Sequence, residues 1–186
     1  MDWFAAVAAT PAERAESRAG DDIVALPDVV MDRAFTVPGS PRVVWPWMVQ
    51  LGKRRAGWYL PGRVERLLPP GRRAIRRLEP RWADLTIGDV IPDYGGRRAT
   101  FTVAGIVPPR TLVYRSRRGS ATISWSIELR PDDVGGAART RVLLRLRMAP
   151  IRRVRLARTV GELIDLLTVA GLAGGLRERL LDPSVR

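Results

Sequence analysis

Cysteine, histidine and asparagine are absent from this chain, and Lys53 is its single lysine. Without cysteine there is no disulfide, no thiolate nucleophile and no cysteine-ligated metal. Without histidine, catalytic triads built on imidazole are excluded and zinc sites are disfavoured. Any acid–base chemistry must therefore come from Asp, Glu, Tyr, Arg or ordered water, and neither a metal nor a cofactor is expected.

Long apolar runs are also scarce. No stretch of eighteen apolar residues occurs, and the longest candidate, Leu163 to Leu176, is interrupted by Asp165 and several glycines. The chain opens with Met1-Asp2, and the apolar run that follows is too short for a secretory signal. These features predict a cytoplasmic protein without a membrane-spanning helix.

Positive charge is abundant, since 32 Lys and Arg residues face 19 Asp and Glu residues for a net charge of +13. Such a charge can attract nucleic acid, anionic lipid or acidic ligands. The alternative is a coding bias, because heavy Ala, Arg, Gly, Pro and Val usage is typical of a GC-rich genome. Two clusters stand out: Arg72, Arg73, Arg76 and Arg77, and Arg152, Arg153, Arg155 and Arg158. No aromatic residues alternate with these arginines, which disfavours nucleic-acid binding as their role.

Aromatic residues are few, but four of them lie within fifteen positions: Trp45, Trp47, Trp58 and Tyr59. They follow a strand-like run that ends at Val37. Ser40 is a suitable N-cap with Pro41 at the first helical position. This pattern predicts a short helix that carries Trp45 and Trp47. This concentration indicates that an apolar core or an apolar ligand is surrounded here.

The pattern after residue 84 is typical of β-strands. The clearest run alternates Ile123, Trp125, Ile127 and Leu129 with polar residues. Strands are predicted at Met31–Val37, Asp84–Pro92, Ala99–Val107, Thr111–Arg117, Ala121–Arg130 and Thr140–Met148. The short connections between the later strands predict an antiparallel meander.

A long helix is predicted at the C-terminus, with Thr159 and Glu162 as its capping box. An antiparallel sheet with one apolar face must cover that face, and this helix is the element long enough to do so. The fold class is therefore α+β. At 186 residues we expect one folded domain over 31–182, preceded by a lead-in segment over 1–30.

This order of elements resembles the START-like superfamily, also called SRPBCC, which has the helix-grip fold. The resemblance covers about residues 29 to 181 and is carried by DRAFTVPGSPRVVWPWMVQLG (32–52), AGWY (56–59), EPRWADLTIGDVIPD (79–93) and ELIDLLTVAGLAGGLRERL (162–180). The chain looks most like actinobacterial members of unassigned function. The resemblance implies a curved antiparallel sheet that grips the C-terminal helix around a hydrophobic cavity. Relatives include lipid-transfer domains, polyketide cyclases and the birch-pollen allergen.

Candidate site residues follow from the strand faces, the aromatic segment and the helix. The predicted ligand-binding residues are Trp45, Trp47, Trp58, Tyr59, Phe101, Tyr114, Trp125, Ile127, Leu144, Ile164 and Leu167. For each of them plain core packing is the competing interpretation, because aromatics also dominate cores. The candidate catalytic residues are Asp165, Tyr59 and Tyr114.

Asp165 interrupts an apolar helical run, so it either faces a cavity, where burial would raise its pKa, or lies in solvent. Lys53, Arg54 and Arg55 are either an ordinary surface loop or a holder for an anionic ligand head.

Three functions compete. The first is the binding or carrying of a hydrophobic small molecule, such as a lipid or polyketide, in an internal cavity. The second is an enzyme of the polyketide cyclase or aromatase type. The third is a basic adaptor at an anionic membrane surface or nucleic acid. The ligand's identity and the oligomeric state are left open by the sequence.

Overall fold

The computed structural model describes residues 7–96, 98–132 and 136–182. Its strands are β1 (Val29–Pro38), β2 (Val90–Pro92), β3 (Thr100–Val107), β4 (Thr111–Arg118), β5 (Ala121–Pro131) and β6 (Arg139–Ala149). They form an antiparallel sheet in the order β1-β6-β5-β4-β3-β2. The meander from β2 to β6 is therefore confirmed, and β1 joins it at the free edge of β6.

Four helices accompany the sheet: α1 (Pro11–Ala15), α2 (Pro41–Gln50), α3 (Gly62–Glu65) and α4 (Val154–Leu181). Single 3₁₀ turns lie at Asp22–Val24, Pro70–Arg72 and Pro80–Trp82. The long α4 packs across the inner face of the curved sheet and contacts β1 most extensively. The predicted α+β helix-grip fold is thus confirmed.

The inner face of the sheet carries the apolar side chains that the alternation predicts. In β5 and β6, for example, Ile127 pairs with Leu144 and Trp125 pairs with Leu146. The side chains of Val142 and Leu144 are buried, and so are those of Leu172 and Leu176 on α4. Sheet and helix therefore share one core, as a half-buried antiparallel sheet requires.

The second half of α4 is fixed to the segment between α2 and β2 by a buried arginine. Arg179 places its Nη2 atom 2.6 Å from Oε1 of Glu65 and donates from Nε to the carbonyl of Ile75 at 2.9 Å. Its guanidinium group also lies 4.5 Å from the ring centroid of Tyr59. Burial lowers the pKa of Arg179, while Glu65 opposes that shift.

The lead-in segment crosses the outer face of the sheet. Ala8 forms an isolated bridge with Arg33, and Glu13 makes a bidentate ion pair with Arg141 at 2.8 and 2.9 Å. Gly20 packs directly on Val113, because a Cβ atom there would lie 2.5 Å from a Val113 methyl group. Residues 1–6 of the predicted lead-in lie outside the described residues. The part from residue 7 onwards covers both arginine and apolar positions of the outer face, where Ala9 is buried with Ala34 and Leu143.

Two predicted boundaries are wrong. The strand predicted at Asp84–Pro92 is reduced to Val90–Pro92, since Asp89 accepts a hydrogen bond from the Thr86 N–H at 2.8 Å and closes a turn. The predicted capping box does not form, because α4 already begins at Val154. The Thr159 hydroxyl instead donates to carbonyls of the preceding turn, within an internal π-helical turn at Ala157–Gly161.

Candidate functional site

A cavity of about 420 Å³ lies between α4 and the inner face of the sheet. It is partly open to solvent and has a predominantly apolar lining. Its aromatic wall consists of Trp58, Phe101, Tyr114 and Trp125, whose neighbouring rings have centroids 5.4–6.1 Å apart. A largely apolar cleft with a few fixed polar groups is the usual form of a small-molecule site.

The strands place these rings together. Tyr114 on β4 is directly opposite Trp125 on β5, and Val103, opposite Tyr114 on its other side, lies two positions from Phe101. Trp58 comes from the loop after α2 and donates a hydrogen bond from Nε1 to the carbonyl of Thr168 on α4 at 3.0 Å. The aromatic wall therefore joins the sheet to the helix.

Aliphatic side chains complete the lining. They come from β2, β5, β6 and α4, where Ile91, Ile123, Leu146, Met148 and Val169 face the same space. The cavity thus occupies the end of the sheet at which β5 begins and β6 ends.

Polar groups gather at the mouth. Arg118 forms an ion pair with the carboxylate of Asp93, and Lys53 donates from Nζ to the main-chain carbonyl of the same residue at 2.9 Å. The guanidinium group of Arg118 also lies 5.4 Å from the Phe101 ring centroid. Tyr94 lines the mouth and is itself exposed. Two cations and one carboxylate at this edge give the mouth a positive local charge.

Asp165 faces the cavity from α4. Its Oδ2 atom lies 2.9 Å from Nε of Arg33, but the angle at the N–H is outside hydrogen-bond geometry, so the contact is an ion pair only. Burial raises the pKa of Asp165, Arg33 opposes that shift, and the nearby Glu162 carboxylate adds to it. A desolvated carboxyl group in a cleft is a candidate acid or base.

The two candidate tyrosines have different surroundings. Tyr114 lines the cavity, and its hydroxyl makes no hydrogen bond within the part of the chain described. Tyr59 is fully buried outside the cavity, where its hydroxyl donates to the carbonyl of Trp47 at 2.9 Å and accepts from Nε2 of Gln50 at 3.0 Å. Burial raises the pKa of both phenols. Of these two tyrosines, only Tyr114 is placed to touch a ligand in this cavity.

Several residues predicted to bind a ligand lie elsewhere. Trp47, Tyr59, Ile127 and Leu144 are core residues beside the second half of α4, and Trp45 packs against that core from its edge. Ile164 and Leu167 point away from the sheet and are 59% and 47% exposed. The helix is apolar on nearly every side, so its sequence could not indicate which face turns inward.

Other lining residues were not among the predicted ligand-binding set. Ile123 and Met148 share the strand faces of Trp125 and Leu144, so the alternation along the strands could have identified them. Arg33 has the same parity as the buried Phe35 and is therefore directed at α4. No sequence signal identifies which end of the sheet the helix leaves uncovered.

Two further depressions, of about 470 and 500 Å³, lie on the surface beside Glu128 and beside Glu178. Their linings are mainly polar or charged and lack an aromatic wall. Within residues 7–96, 98–132 and 136–182, no three Asp or Glu side chains converge in a metal-binding arrangement. The cavity under α4 is therefore the strongest candidate site.

Comparison with known proteins finds likeness in structure but not in sequence. No family profile and no curated protein matches the chain. Protein MLL2253 from Mesorhizobium loti superposes with a TM-score of 0.50 at 14% identity, covering 82% of this chain and 96% of that one. At this identity the likeness is one of fold.

Two other solved structures score slightly lower. CalU16 from Micromonospora echinospora has a TM-score of 0.44 at 15% identity and covers 81% of this chain and 83% of its own. DynU16, a putative protein in the dynemicin biosynthetic locus, has a TM-score of 0.49 at 18% identity and covers 79% of this chain and 46% of its own. Membership of the START-like superfamily stays a prediction.

Proposed function

We propose that the protein binds a hydrophobic small molecule in the cavity between α4 and the sheet. The observation that carries this proposal is the aromatic wall, because four large rings line an open space of about 420 Å³ rather than packing it solid. Pockets that hold drug-sized ligands have volumes of about 300–1,000 Å³. A lipid or polyketide, the ligand classes that the resemblance implies, would bury its apolar surface against these rings.

The cytoplasm is the compartment we expect for this carrier.

Its ligand would be held by apolar burial, which contributes roughly 25 cal/mol per Å² of surface removed from water. Polar groups at the mouth, such as Lys53 and Arg118, would fix the orientation of the ligand.

Native mass spectrometry of protein purified without denaturation tests this function. The expected result is a population heavier than the bare chain, whose extra mass is recovered in an organic extract. A panel of fatty acids, sterols and aromatic polyketides should also change the fluorescence of Trp58 and Trp125, which line the cavity. Bare protein in every preparation, together with no response to any member of the panel, would overturn the proposal.

A second candidate function is acid–base catalysis on a bound polyketide, as in the cyclases that the sequence resembles. Asp165 favours it, since this carboxyl group faces the cavity, is desolvated and has a raised pKa. Tyr114 adds an unpaired hydroxyl to the same space. We expect Asp165→Asn and Tyr114→Phe to slow conversion of a substrate from the aromatic panel, and Tyr59→Phe, which alters the core, to leave the chemical step unchanged. Equal rates in all four proteins would remove this candidate.

A further inference from the structure

The first half of α4 exposes a continuous apolar surface. Leu156, Val160, Leu163, Ile164 and Leu167 are each between 47% and 59% exposed. Their spacing of three and four residues puts them on one side of the helix. We call these five side chains the apolar stripe. It lies on the side of α4 opposite Asp165, which lines the cavity, while Thr168 lines the cavity from the edge of the helix next to Ile164.

Arginines surround the beginning of the same helix. Arg152, Arg153 and Arg155 are exposed and, within the described residues, make no ion pair or side-chain hydrogen bond. Arg158 is also exposed and donates only to the carbonyl of Asp28 at 3.0 Å. An uncompensated positive cluster therefore adjoins the apolar stripe.

The acidic residues of this half of α4 are turned towards the sheet. Glu162 places Oε1 3.5 Å from Nη2 of Arg33, and Asp165 places Oδ2 2.9 Å from Nε of the same guanidinium group. Their charge is thus directed at β1 and is partly neutralised there. Glu162 stays 50% exposed beside this ion pair, and the remaining outward surface of this half of α4 is mainly aliphatic side chains and arginine.

By length and composition the whole helix could cross a membrane, but part of it is buried in the fold. Its second half cannot leave the sheet, because Leu172, Leu176 and Arg179 are buried in the core. Only the first half is available to a partner. This half is suited to lie on a surface rather than to span a bilayer.

The dimensions and chemistry of the stripe favour lipid over other partners. The residues from Leu156 to Leu167 span about 17 Å of a helix about 10 Å wide, which is small beside the roughly 800 Å² per partner of a stable protein interface. Aliphatic side chains offer no aromatic platform on which a nucleic-acid base could stack. An anionic bilayer accepts both features, since acyl chains take up the aliphatic groups and headgroups attract the arginines.

We propose that the apolar stripe and Arg152, Arg153, Arg155 and Arg158 dock the protein on an anionic lipid bilayer. The helix lies in the plane of the headgroups, with its aliphatic side chains inserted and its arginines against lipid phosphates. The helix that covers the cavity on one side then faces the bilayer on the other. Docking does not require a ligand in the cavity, so it can be tested separately from the proposed function.

Flotation of the full chain with lipid vesicles tests whether the arginines beside the apolar stripe contribute to docking. Vesicles of phosphatidylcholine with phosphatidylglycerol should bind the protein at low salt and release it at high salt, whereas phosphatidylcholine alone should bind it weakly. Each arginine near an anionic surface contributes about a fivefold gain in binding, so Arg152→Gln, Arg153→Gln and Arg155→Gln together should weaken it about a hundredfold.

The matched control removes the same charge from another face. Arg110, Arg115 and Arg117 are exposed, and the last two alternate along β4 with the inward-facing Tyr114. Replacing these three by Gln should leave vesicle binding nearly unchanged. Equal losses in both triple variants would mean that only net charge matters, and would overturn the proposal.

Insertion is tested with Leu163→Ser and Ile164→Ser combined, which should weaken vesicle binding at least about tenfold because aliphatic burial is lost. The control combines Leu67→Ser and Ile87→Ser, two exposed apolar residues outside α4. Unchanged binding of the α4 variant would contradict docking by this face. Docking on lipid would also be contradicted if the wild type formed a concentration-dependent dimer that the α4 variant abolishes. The same holds if the wild type bound oligonucleotides more tightly than vesicles.

Discussion

The phenol ring of Tyr114 stacks on the indole of Trp125, with ring centroids 5.4 Å apart and planes inclined by only 19°. The two residues are directly opposite each other on β4 and β5, so the sheet register fixes the stack. Aromatic pairs of this kind contribute about 0.5–1.5 kcal/mol beyond the area that they bury. The cavity wall is therefore rigid before any ligand arrives.

The two buried tyrosines should respond differently to loss of the hydroxyl. Tyr59→Phe removes the hydrogen bond that the Trp47 carbonyl accepts and one of the hydrogen bonds of Gln50, which keeps its bond to the Arg77 carbonyl, so the free energy of unfolding should fall by about 1–3 kcal/mol. Tyr114→Phe removes a hydroxyl that has no protein partner and should be neutral or slightly stabilising. Urea unfolding of the two variants measures this, and equal losses would show that the assigned environments are wrong.

Asp165 should make the stability of the protein depend on pH. Because its pKa is raised in the folded state, that state binds the proton more tightly than the unfolded chain does. The wild type should therefore gain stability relative to Asp165→Asn as the pH falls from neutral towards the ordinary Asp value of 3.8, and level off below it.

Urea unfolding of both proteins across this pH range gives the difference directly, and titration of the groups that do not interact with Asp165 cancels. Arg33 and Glu162 are the charged groups in contact with Asp165 or its partner, and both are present in each protein. A difference that is constant with pH, or that grows as the pH rises, would contradict the raised pKa.

Arg145 should be essential for holding the lead-in segment on the sheet. Its buried guanidinium group lies 2.7 Å from Asp32 and 2.9 Å from Asp21, and donates to the carbonyl of Arg14 at 2.7 Å. Arg145→Gln removes the shortest ion pair of each carboxylate and leaves each with a longer arginine contact, at 3.8 Å for Asp32 and 3.2 Å for Asp21, so we expect a loss of about 3 kcal/mol and faster proteolysis before residue 28. The exposed Arg117→Gln is the control, and similar stability of the two variants would refute this role.

Two glycines of α4 provide a matched test of its contact with the loop before α3. A Cβ atom at Gly175 would lie 2.5 Å from the main-chain nitrogen of Leu60, which cannot move alone. At Gly171 the nearest atom, at 2.6 Å, is a methyl group of the Leu60 side chain, which can rotate away. Gly175→Ala should cost about 3 kcal/mol or more.

Gly171→Ala should be close to neutral, because alanine favours the helix by about 1 kcal/mol and offsets the local adjustment. Thermal or urea unfolding of the pair measures the contrast. If both substitutions stabilise the protein, the close approach of α4 to Leu60 is not present in solution.

The strands were predictable because each has a polar and an apolar side. The alternation along β5 and β6 identifies the inner face through Trp125 and Leu144, and the structure puts both there. The turn at Thr86–Asp89 was missed, since a hydrogen bond that the Asp89 carboxylate accepts from the Thr86 N–H and a positive φ at Gly88 decide it. Such local bonds are not visible in an apolar pattern.

The sequence of α4 has too little contrast between polar and apolar positions to predict which face of the helix is buried. Leu163, Ile164 and Leu167 are as apolar as Leu172 and Leu176, but the first three face outward and the last two are buried. Glycines at 171 and 175, together with Leu60, determine which side approaches the core. This choice depends on tertiary packing, and it also decides which half of the sheet keeps a cavity.

The central claim is that the space under α4 binds an apolar ligand, and a blocked cavity tests it most directly. Thr168→Trp projects an indole into the cavity, whereas Leu163→Trp adds the same group on the exposed outer side of α4. The measurement is the dissociation constant of anilinonaphthalene sulfonate by fluorescence titration. We expect at least about tenfold weaker binding for Thr168→Trp and unchanged binding for Leu163→Trp. Equal affinity in all three proteins, or a loss confined to Leu163→Trp, would contradict the claim.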